Sequence, residues 1–390
     1  MRGLGFRERH PSTIPLAELE RIDACATVVT GLSLCDTIAG LDFQARHLLY
    51  ALRAGDRRRI GRALAYDIAT MSAVGTSMAR SIGKTVQLAE TLAADLGDAF
   101  LSHVCRCSVS WSSFVLGHWD KSLEQMIAAE AAPLPAGRQW PIGNSFTSVM
   151  HGFALLLTGD LETLRVRVAE TVRNARDRGD LFVEVFMSME LVPMVKLAAD
   201  DPVGARAELR AAMARWPQKG FFIPHYWYMQ AEMEISLYEG DGNDAYESFQ
   251  SAWPFYTASE LPQVEHIRIF ALHALGRAAL GGGPRGIATV KDCARRLGKE
   301  KAAWARPLSL MLGAGAAAAG GRKEEAAGLF RQAEAGLEQA GMKLYLAAAR
   351  HARGRLTNNA AVLAEAEKYF RAQQVTDSRK LSQILAPGGQ

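Results

Sequence analysis

The sequence predicts an all-α protein, more specifically a right-handed α-solenoid of antiparallel helix hairpins that repeat about every 40 residues. Three observations lead to this prediction. Glycines recur at nearly even spacing, the residues between them have the apolar spacing of amphipathic helices, and no alternating run typical of a β-strand interrupts them. A repeat array also explains how 390 residues can fold without one large core, because each unit buries its apolar face against its neighbours.

Glycines mark the predicted turns, and most lie 20 to 22 residues after the previous one. Glycine suits such turns because it accepts the left-handed backbone conformation that ends many helices. Near residues 200 and 261 no glycine occurs, but Asp200-Asp201-Pro202 and Glu260-Leu261-Pro262 have turn or helix-start chemistry instead. The glycines are Gly55, Gly75, Gly97, Gly117, Gly137, Gly159, Gly179, Gly220, Gly240, Gly282, Gly298, Gly320 and Gly341.

The segments between the turns carry helix signals. Asp160 and Asp201 stand at N-cap positions, and Pro202 suits a first helical turn, which needs no backbone donor. Trp216-Pro217 and Trp253-Pro254 each predict a helix end, because proline cannot continue the hydrogen-bond ladder. One helix face between two turns is apolar at steps of three and four, as in Leu161, Leu164, Val168, Val172 and Ala175.

The predicted domain organisation follows from the turns. Short loops make consecutive helices antiparallel, so two helices of roughly 16 residues form one hairpin. We predict a polar N-terminal segment over residues 1–15, a helical repeat array over residues 16–380 and a C-terminal tail over residues 381–390.

Composition and charge argue against several classes of protein. With 45 basic and 41 acidic residues the net charge is only +4, whereas nucleic-acid binding usually needs a concentrated basic face. The densest basic cluster, Arg57, Arg58, Arg59 and Arg62, is predicted to be a solvated helix face. No apolar stretch reaches the roughly 18 residues of a membrane span, and the first residues are too polar for a signal peptide. We therefore expect a cytoplasmic protein that binds neither nucleic acid nor membranes.

The sequence shows no complete catalytic or metal-binding set. Ile82-Gly83-Lys84-Thr85 copies the end of a phosphate-binding loop, but Met78 replaces the glycine that such a loop requires. The histidines are dispersed, and no second ligand pair follows Cys105 and Cys107 at zinc-site spacing. We therefore expect no enzymatic activity, no cofactor and no metal. The five cysteines are too scattered for a disulfide framework and indicate a reducing compartment: Cys25, Cys35, Cys105, Cys107 and Cys293.

One aromatic segment is the candidate partner-binding site. Large aromatic side chains with a polar tip are typical anchors of protein interfaces. A helix buries one face against its neighbours, so we expect one or two of these side chains to line the inner groove of the solenoid; gap filling between helices is the alternative. The candidates are Phe222, His225, Tyr226, Trp227 and Tyr228.

Two resemblances extend this interpretation. A small residue followed four positions later by a large apolar one is similar to degenerate tetratricopeptide positions, as in Ala205 to Leu209, Ala245 to Phe249 and Ala326 to Phe330. Across nearly the whole chain, segments starting at Asp36 and Ala198 and the terminal Ile384-Leu-Ala-Pro-Gly resemble the C-terminal helical region of large bacterial serine/threonine protein kinases that carry an ATPase module.

The resemblance implies a regulatory or partner-binding tail and transfers no catalysis, because kinase motifs are absent from the sequence. The chain is then a freestanding relative, a fragment or one product of a split gene. Our leading hypothesis is a non-catalytic scaffold whose concave groove holds a protein or peptide in kinase-linked signalling. The first alternative is a small-molecule-sensing helical repeat domain of a bacterial regulator, and the second is an enzyme with an unrecognised site.

Overall fold

The computed structural model describes residues 3–32, 37–132, 141–217 and 219–387. These residues form helices and turns and contain no β-strand, so the predicted all-α class is confirmed. None of the helices in these ranges combines the length and the apolar character that crossing a membrane requires.

The chain divides into two compact units, Met1–His151 and Gly152–Gln390, which are described separately. In the first unit each helix from α1 to α5 packs against the helix that follows it, and α3 also contacts α1 and α5. The helices are α1 Leu16–Leu32, α2 Thr37–Ala54, α3 Arg57–Val74, α4 Ala79–Leu96, α5 Ala99–Val115, α6 Trp119–Ala131 and α7 Pro141–Thr158, the last of which crosses the boundary.

The second unit continues the same succession of helices. One of its helices is continuous from 181 to 198 but contains a π-helical turn, Met187–Leu191, between α9 and α10. The helices are α8 Leu161–Arg178, α9 Leu181–Phe186, α10 Val192–Ala198, α11 Pro202–Ala214, α12 Ile223–Glu239, α13 Gly242–Ala258, α14 Glu265–Gly281, α15 Ile287–Leu297, α16 Ala305–Ala319, α17 Lys323–Gln339, α18 Lys343–Leu356, α19 Ala360–Ala372 and α20 Ser378–Leu385.

The predicted turns are largely confirmed. Left-handed glycines occur at Gly55, Gly75, Gly97, Gly117, Gly159, Gly179, Gly220, Gly240 and Gly341, and also one residue after two predicted positions, at Gly283 and Gly321. Asp200, with φ of 59°, supplies the turn where glycine is missing. Gly298 is an exception because its φ is −64°, so α15 ends in right-handed backbone. Gly137 lies outside the described residues.

The predicted helix starts are confirmed, but one predicted helix end is wrong. Asp160 accepts a hydrogen bond from the N–H of Thr163 at 3.0 Å, and Asp201 does the same for Gly204 at 2.8 Å. Pro254, in contrast, lies inside α13. The carbonyl that loses its partner there belongs to Gln250, an exposed residue, so water can satisfy it and the helix continues.

The helices of the second unit fall into two rows that differ in burial. Helix α10 contacts α12, α12 contacts α14, and α14 contacts α16; we call these helices, together with α9 and α18, the inner row. Inner helices are buried almost all round; α14, for example, buries every residue from Ala271 to Ala279. The outer row, α8, α11, α13, α15, α17 and α19, buries single stripes, such as the predicted apolar stripe of α8. All-round burial identifies the inner row as enclosed by protein.

Small residues allow the helices to approach closely. A Cβ on Gly276 of α14 would clash with the buried side chain of Leu312 on α16, and in the first unit a Cβ on Gly61 would lie 2.6 Å from Leu101. Three outer-row alanines with tetratricopeptide-like spacing are fully buried: Ala205, Ala245 and Ala326.

The last helix pair contacts the turn that precedes α8. The Tyr369 hydroxyl donates a 2.6 Å hydrogen bond to the carbonyl oxygen of Gly159. The side-chain oxygen of Gln373 accepts hydrogen bonds from the N–H groups of Leu161 and Glu162 at 2.8 and 3.2 Å. Because these are free N–H groups in the first turn of α8, a residue that follows α19 caps a helix more than 200 positions earlier.

Residues 381–385 belong to helix α20, where the sequence predicted a tail over residues 381–390; residues 388–390 lie outside the described part of the chain. Helix α20 contacts the inner-row helices α10, α12 and α18. Leu381, Ile384 and Leu385 are at most 1% exposed. The sequence gave no sign of this burial because the apolar partners of α20 lie on helices far away in the chain.

Candidate functional site

The inner row of the second unit encloses a set of polar side chains next to α20. These side chains come from the π-helical turn, from α12 and from α14, and we call them the polar centre. They are Glu190, Tyr226, Gln230, Glu234, His273 and Arg277.

The π-helical turn places Glu190 in this centre. Pro193, two residues after the turn, has no N–H to donate to the carbonyl of Met189, so the regular helical ladder is interrupted here. A wider turn accommodates the interruption, and the N–H of Val192 bonds to the carbonyl of Met187, five residues earlier. Glu190 is only 4% exposed as a result of this placement.

A short chain of hydrogen bonds runs from α12 to Glu190. The Tyr226 hydroxyl donates to the side-chain oxygen of Gln230 at 2.6 Å. The Gln230 amide then donates to a Glu190 carboxyl oxygen at 2.7 Å. Tyr226, Gln230 and Glu234 are four residues apart, so they form one polar stripe on the buried side of α12.

Arg277 joins this stripe to α20. It is 1% exposed, and its guanidinium donates to a carboxyl oxygen of Glu234 at 2.7 Å. Another nitrogen donates to the backbone carbonyl oxygen of Ile384 at 2.9 Å. Burial disfavours the charged guanidinium, but the Glu234 carboxylate outweighs it and raises the pKa of Arg277. A cation therefore lies at the carbonyl end of α20, where the helix dipole favours it.

His273 lies one turn before Arg277 on α14. It is 1% exposed, and neither ring nitrogen has a hydrogen-bond partner. Its ring lies 5.7 Å from that of Tyr345 on α18. Burial, reinforced by the positive charge of Arg277, holds the pKa of His273 well below its usual value, so its neutral form is favoured.

The protonation state of Glu190 determines the net charge of the polar centre. Burial, followed by the negative charge of Glu234, raises the pKa of Glu190 well above its usual value. A protonated Glu190 leaves Glu234 and Arg277 as an oppositely charged pair with little net charge. Buried charges are tolerated when they are paired and hydrogen-bonded in this way.

Helix α20 covers one side of the polar centre. Its rim contacts include a 2.9 Å ion pair between Lys380 and Asp200, and the N–H of Thr376 donates to the carbonyl oxygen of Ala198 at 2.9 Å. The Lys380 ammonium also lies 5.2 Å from the centre of the Tyr238 ring. We call the surface that contacts α20 the α20-binding surface; it includes Ala198, Asp200, Tyr238, Arg277 and Gly315.

The five predicted partner-binding residues occupy different environments on α12. Tyr226 is 1% exposed and points into the polar centre, whereas the Tyr228 hydroxyl donates to Glu232 at 3.0 Å. Phe222 is the partly exposed N-cap residue, and its N–H donates to Nδ1 of His225 at 3.1 Å. Burial lowers the pKa of His225.

Trp227, the fifth of these residues, packs against aromatic side chains of α7 and α9. Its ring lies 4.6 Å from that of Phe153 and 5.0 Å from that of Phe186, the second contact being perpendicular. Perpendicular and tilted contacts are the favoured geometries of aromatic pairs in cores. The structure thus brings Tyr226 alone to the polar centre, and a role of these five residues in partner binding stays a prediction.

Sequence reasoning missed Glu190, Gln230, Glu234, His273 and Arg277 as a group. A local signal was present, because Gln230 and Glu234 on α12, and His273 and Arg277 on α14, lie four residues apart on buried sides of their helices. Neither the proximity of the three helices nor the contribution of α20 can be read from this local pattern.

Three arginines of the basic cluster, Arg58, Arg59 and Arg62, line a pocket of about 320 Å³ in the first unit. Arg59 and Arg62 both pair with Asp23, and Arg58 pairs with Asp98 at 2.6 Å. Burial raises the pKa of Asp23, but hydrogen bonds from Arg59 and Arg62 outweigh this and lower it. The face is therefore less solvated than predicted, because carboxylates hold Arg57, Arg59 and Arg62 in part-buried positions.

The four cysteines that the structure describes are all inside the protein. Cys25, Cys105, Cys107 and Cys293 are free and buried, and burial raises the pKa of each thiol. Cys35 lies outside the described residues. Among the residues that are described, no three His, Cys, Asp or Glu side chains converge as a metal site would require.

Comparison with known proteins leaves the family open. No model of a known protein family matches the chain, and no curated protein has a significantly similar sequence.

Proposed function

We propose that this protein is a non-catalytic protein-interaction module in which a tetratricopeptide-like solenoid of the second unit holds a helix of a partner against its inner row. The observation that carries this proposal is α20 itself. It is a short helix held by the inner row, and its apolar residues Leu381, Ile384 and Leu385 are buried there.

The two-row arrangement supports the tetratricopeptide-like part of the proposal. Inner and outer helices alternate, and fully buried small residues at Ala205, Ala245 and Ala326 lie where such repeats bring helices together. Repeat arrays bind partners through side chains on one row of helices. Helix-in-groove recognition uses apolar residues at spacings of three and four, which is the spacing found in α20.

The polar centre supports a binding role better than a catalytic one. Arg277 is engaged with Glu234 and with a backbone carbonyl, and α20 covers this side of the centre. A guanidinium that bonds the end of a helix positions a peptide. The link to bacterial serine/threonine kinase signalling remains part of the proposal on the strength of the sequence resemblance alone.

A capture experiment tests the proposed function. The purified full chain is immobilised and exposed to an extract of its source cells, with and without an excess of a synthetic peptide of residues 376–387. We expect at least one protein to be captured reproducibly and to be released by this peptide, because both compete for the α20-binding surface. A scrambled peptide of the same composition is the matched control and should release nothing.

Two results would contradict the proposal. If no protein is captured reproducibly, the chain is not an interaction module of this kind. If the peptide does not release the captured proteins, they bind elsewhere and the inner row is not the binding surface.

A small-molecule sensor is a second candidate, favoured by buried polar atoms that lack hydrogen-bond partners. These atoms are both ring nitrogens of His273, Oε2 of Glu190 and the hydroxyl of Ser188. Such groups cost free energy when unpaired, and a polar ligand would satisfy them. Thermal-shift screening tests this: a ligand at 100 times its Kd should stabilise the protein by about 2.7 kcal/mol, and no shift in a broad metabolite panel would remove this candidate.

A further inference from the structure

We propose that α20 occupies the surface that a partner protein binds, and that the partner presents an internal amphipathic helix in its place. This helix has three apolar residues at the spacing of Leu381, Ile384 and Leu385, and a backbone carbonyl in its last turn accepts a hydrogen bond from Arg277. This inference rests on the proposed function and specifies its partner.

The apolar spacing defines the face that the surface accepts. Leu381, Ile384 and Leu385 lie at relative positions 0, 3 and 4 and are at most 1% exposed, while Ser382 is 2% exposed. A large residue at the Ser382 position would have no room. The partner helix therefore needs a small residue directly after its first apolar anchor.

The charge of the polar centre favours a backbone carbonyl of the partner helix, and not a C-terminal carboxylate, as the group that Arg277 bonds. Arg277 is the cation that contacts α20 here, and Glu234 already neutralises it. A carboxylate in place of the Ile384 carbonyl would be a buried negative charge without its own counterion, because Arg277 is already paired with Glu234. Such charges are costly, so the partner should bind through the end of an internal helix and not through its C-terminus.

The path of the chain beyond α20 agrees with an internal segment. Gly315 on α16 lies beside Pro387, and a Cβ on Gly315 would come within 2.7 Å of the Pro387 carbonyl oxygen. The absent side chain leaves space for a backbone that continues past the helix end. A partner can therefore enter and leave the α20-binding surface without ending there.

The contacts at the edge of α20 are weak enough for a partner helix to replace α20. Lys380 and Asp200 are 42% and 37% exposed, and ion pairs of this exposure contribute about 0–1 kcal/mol. The buried hydroxyl of Ser382 has no hydrogen-bond partner, which weakens the attachment further. An isolated helix as short as α20 also gains little from its own backbone bonds.

Peptide exchange on the full chain tests the inference. The probe is a fluorescent peptide of residues 376–387 with an amidated C-terminus, and binding is followed by fluorescence anisotropy. Lys380→Glu in the chain places like charges beside Asp200 and Asp377 and weakens the internal α20 only. The probe should bind this variant about tenfold more tightly than the wild-type chain, because it retains its own Lys380. Lys323→Glu, an equal charge reversal at an exposed position of the outer row, is the matched control and should not change the affinity.

A second pair of probes tests the chemistry of the helix end. Peptides of residues 376–385 are prepared with a C-terminal amide or a free carboxylate. We expect the carboxylate form to bind about tenfold more weakly to the Lys380→Glu variant. Equal affinity, or tighter binding of the carboxylate, would overturn the carbonyl assignment.

Hydrogen exchange of the wild-type chain keeps the inference falsifiable if the variant fails to fold. Amides of α20 should exchange at least about tenfold faster than those of α18, since α20 detaches while the inner row stays folded. Equal rates, or a folded Lys380→Glu variant that does not bind the probe, would show that α20 is a fixed part of the unit.

The outcomes separate this inference from the proposed function. Probe binding without any captured partner would leave the exchange of α20 standing and remove the interaction module. A captured partner together with a fixed α20 would keep an interaction module but place its binding surface elsewhere.

Discussion

Arg277 and Ile384 lie 107 positions apart in the chain, yet the guanidinium of Arg277 donates a 2.9 Å hydrogen bond to the Ile384 carbonyl oxygen. The same guanidinium pairs with Glu234, so one side chain joins α12, α14 and α20. The Arg277 guanidinium and the Glu234 carboxylate are at most 4% exposed, so neither can be hydrated by solvent if the other is removed.

The Arg277 pair predicts a large loss of stability on single substitution. Arg277→Met should lower the free energy of unfolding by about 3–5 kcal/mol, because Glu234 then carries a buried charge without a counterion. Urea unfolding followed by circular dichroism measures this. The double variant Arg277→Met with Glu234→Gln should recover part of the loss; an additive double loss would show that the two side chains do not act as a pair.

The close approach of α14 and α16 predicts opposite effects for two glycine substitutions. Gly276→Ala should destabilise by about 1–3 kcal/mol, because the new methyl group meets the buried Leu312 side chain. Gly328→Ala on α17 is the matched control: nothing lies within 4 Å of its Cβ, so the helix should gain about 0.5–1 kcal/mol. Thermal melting of both variants checks the two signs, and two losses of equal size would contradict the packing described.

Glu190 predicts that stability falls as the pH rises. Its pKa is raised in the folded state, so its contribution is fully present below its ordinary pKa of 4.5 and is lost as the pH rises through the folded-state value. Glu190→Gln cannot ionise and should flatten that fall. Urea unfolding over a series of pH values measures it. The wild-type and variant curves should differ least below about pH 4.5, and a constant offset at all pH values would count against the raised pKa.

His47 in the first unit predicts the opposite dependence. It is fully buried, and burial followed by the charge of Arg62 lowers its pKa to about 3. The neutral ring is thus favoured in the fold, and stability is lost as the pH falls below 6.5. His47→Gln should remove about 2 kcal/mol of the loss between pH 7 and pH 5. Gly328→Ala, the control, should shift the plot of unfolding free energy against pH without changing its slope. If His47→Gln has the same slope as the wild-type chain, the lowered pKa of His47 is refuted.

The features that the sequence predicted well are local ones. Left-handed glycines such as Gly159 and the Asp160 and Asp201 caps were recognisable because each acts on the backbone within a few residues. Pro254 was misread as a helix end because its cost depends on whether the unpaired carbonyl is solvated, which is a property of the fold.

The polar centre and α20 could not be predicted because they depend on long-range contacts. Tyr226 was selected for its aromatic character, and its actual role in a hydrogen-bond chain to Glu190 depends on a helix about 40 residues earlier. Leu381 and Ile384 looked like the end of a tail because eight helical residues contain too little periodicity to indicate where they are buried.

The capping of α8 by Gln373 has a mechanical consequence for the second unit. A linear array can fray from one end, since an outermost hairpin can melt without disturbing the rest. Here the melting of α19 would break the hydrogen bonds that the N–H groups of Leu161 and Glu162 donate to Gln373. The Gly159 carbonyl would also lose its hydrogen bond from Tyr369. The array from α8 to α19 therefore has no free outermost hairpin from which unfolding can start, and the denaturation of this part of the unit is expected to be a single cooperative event.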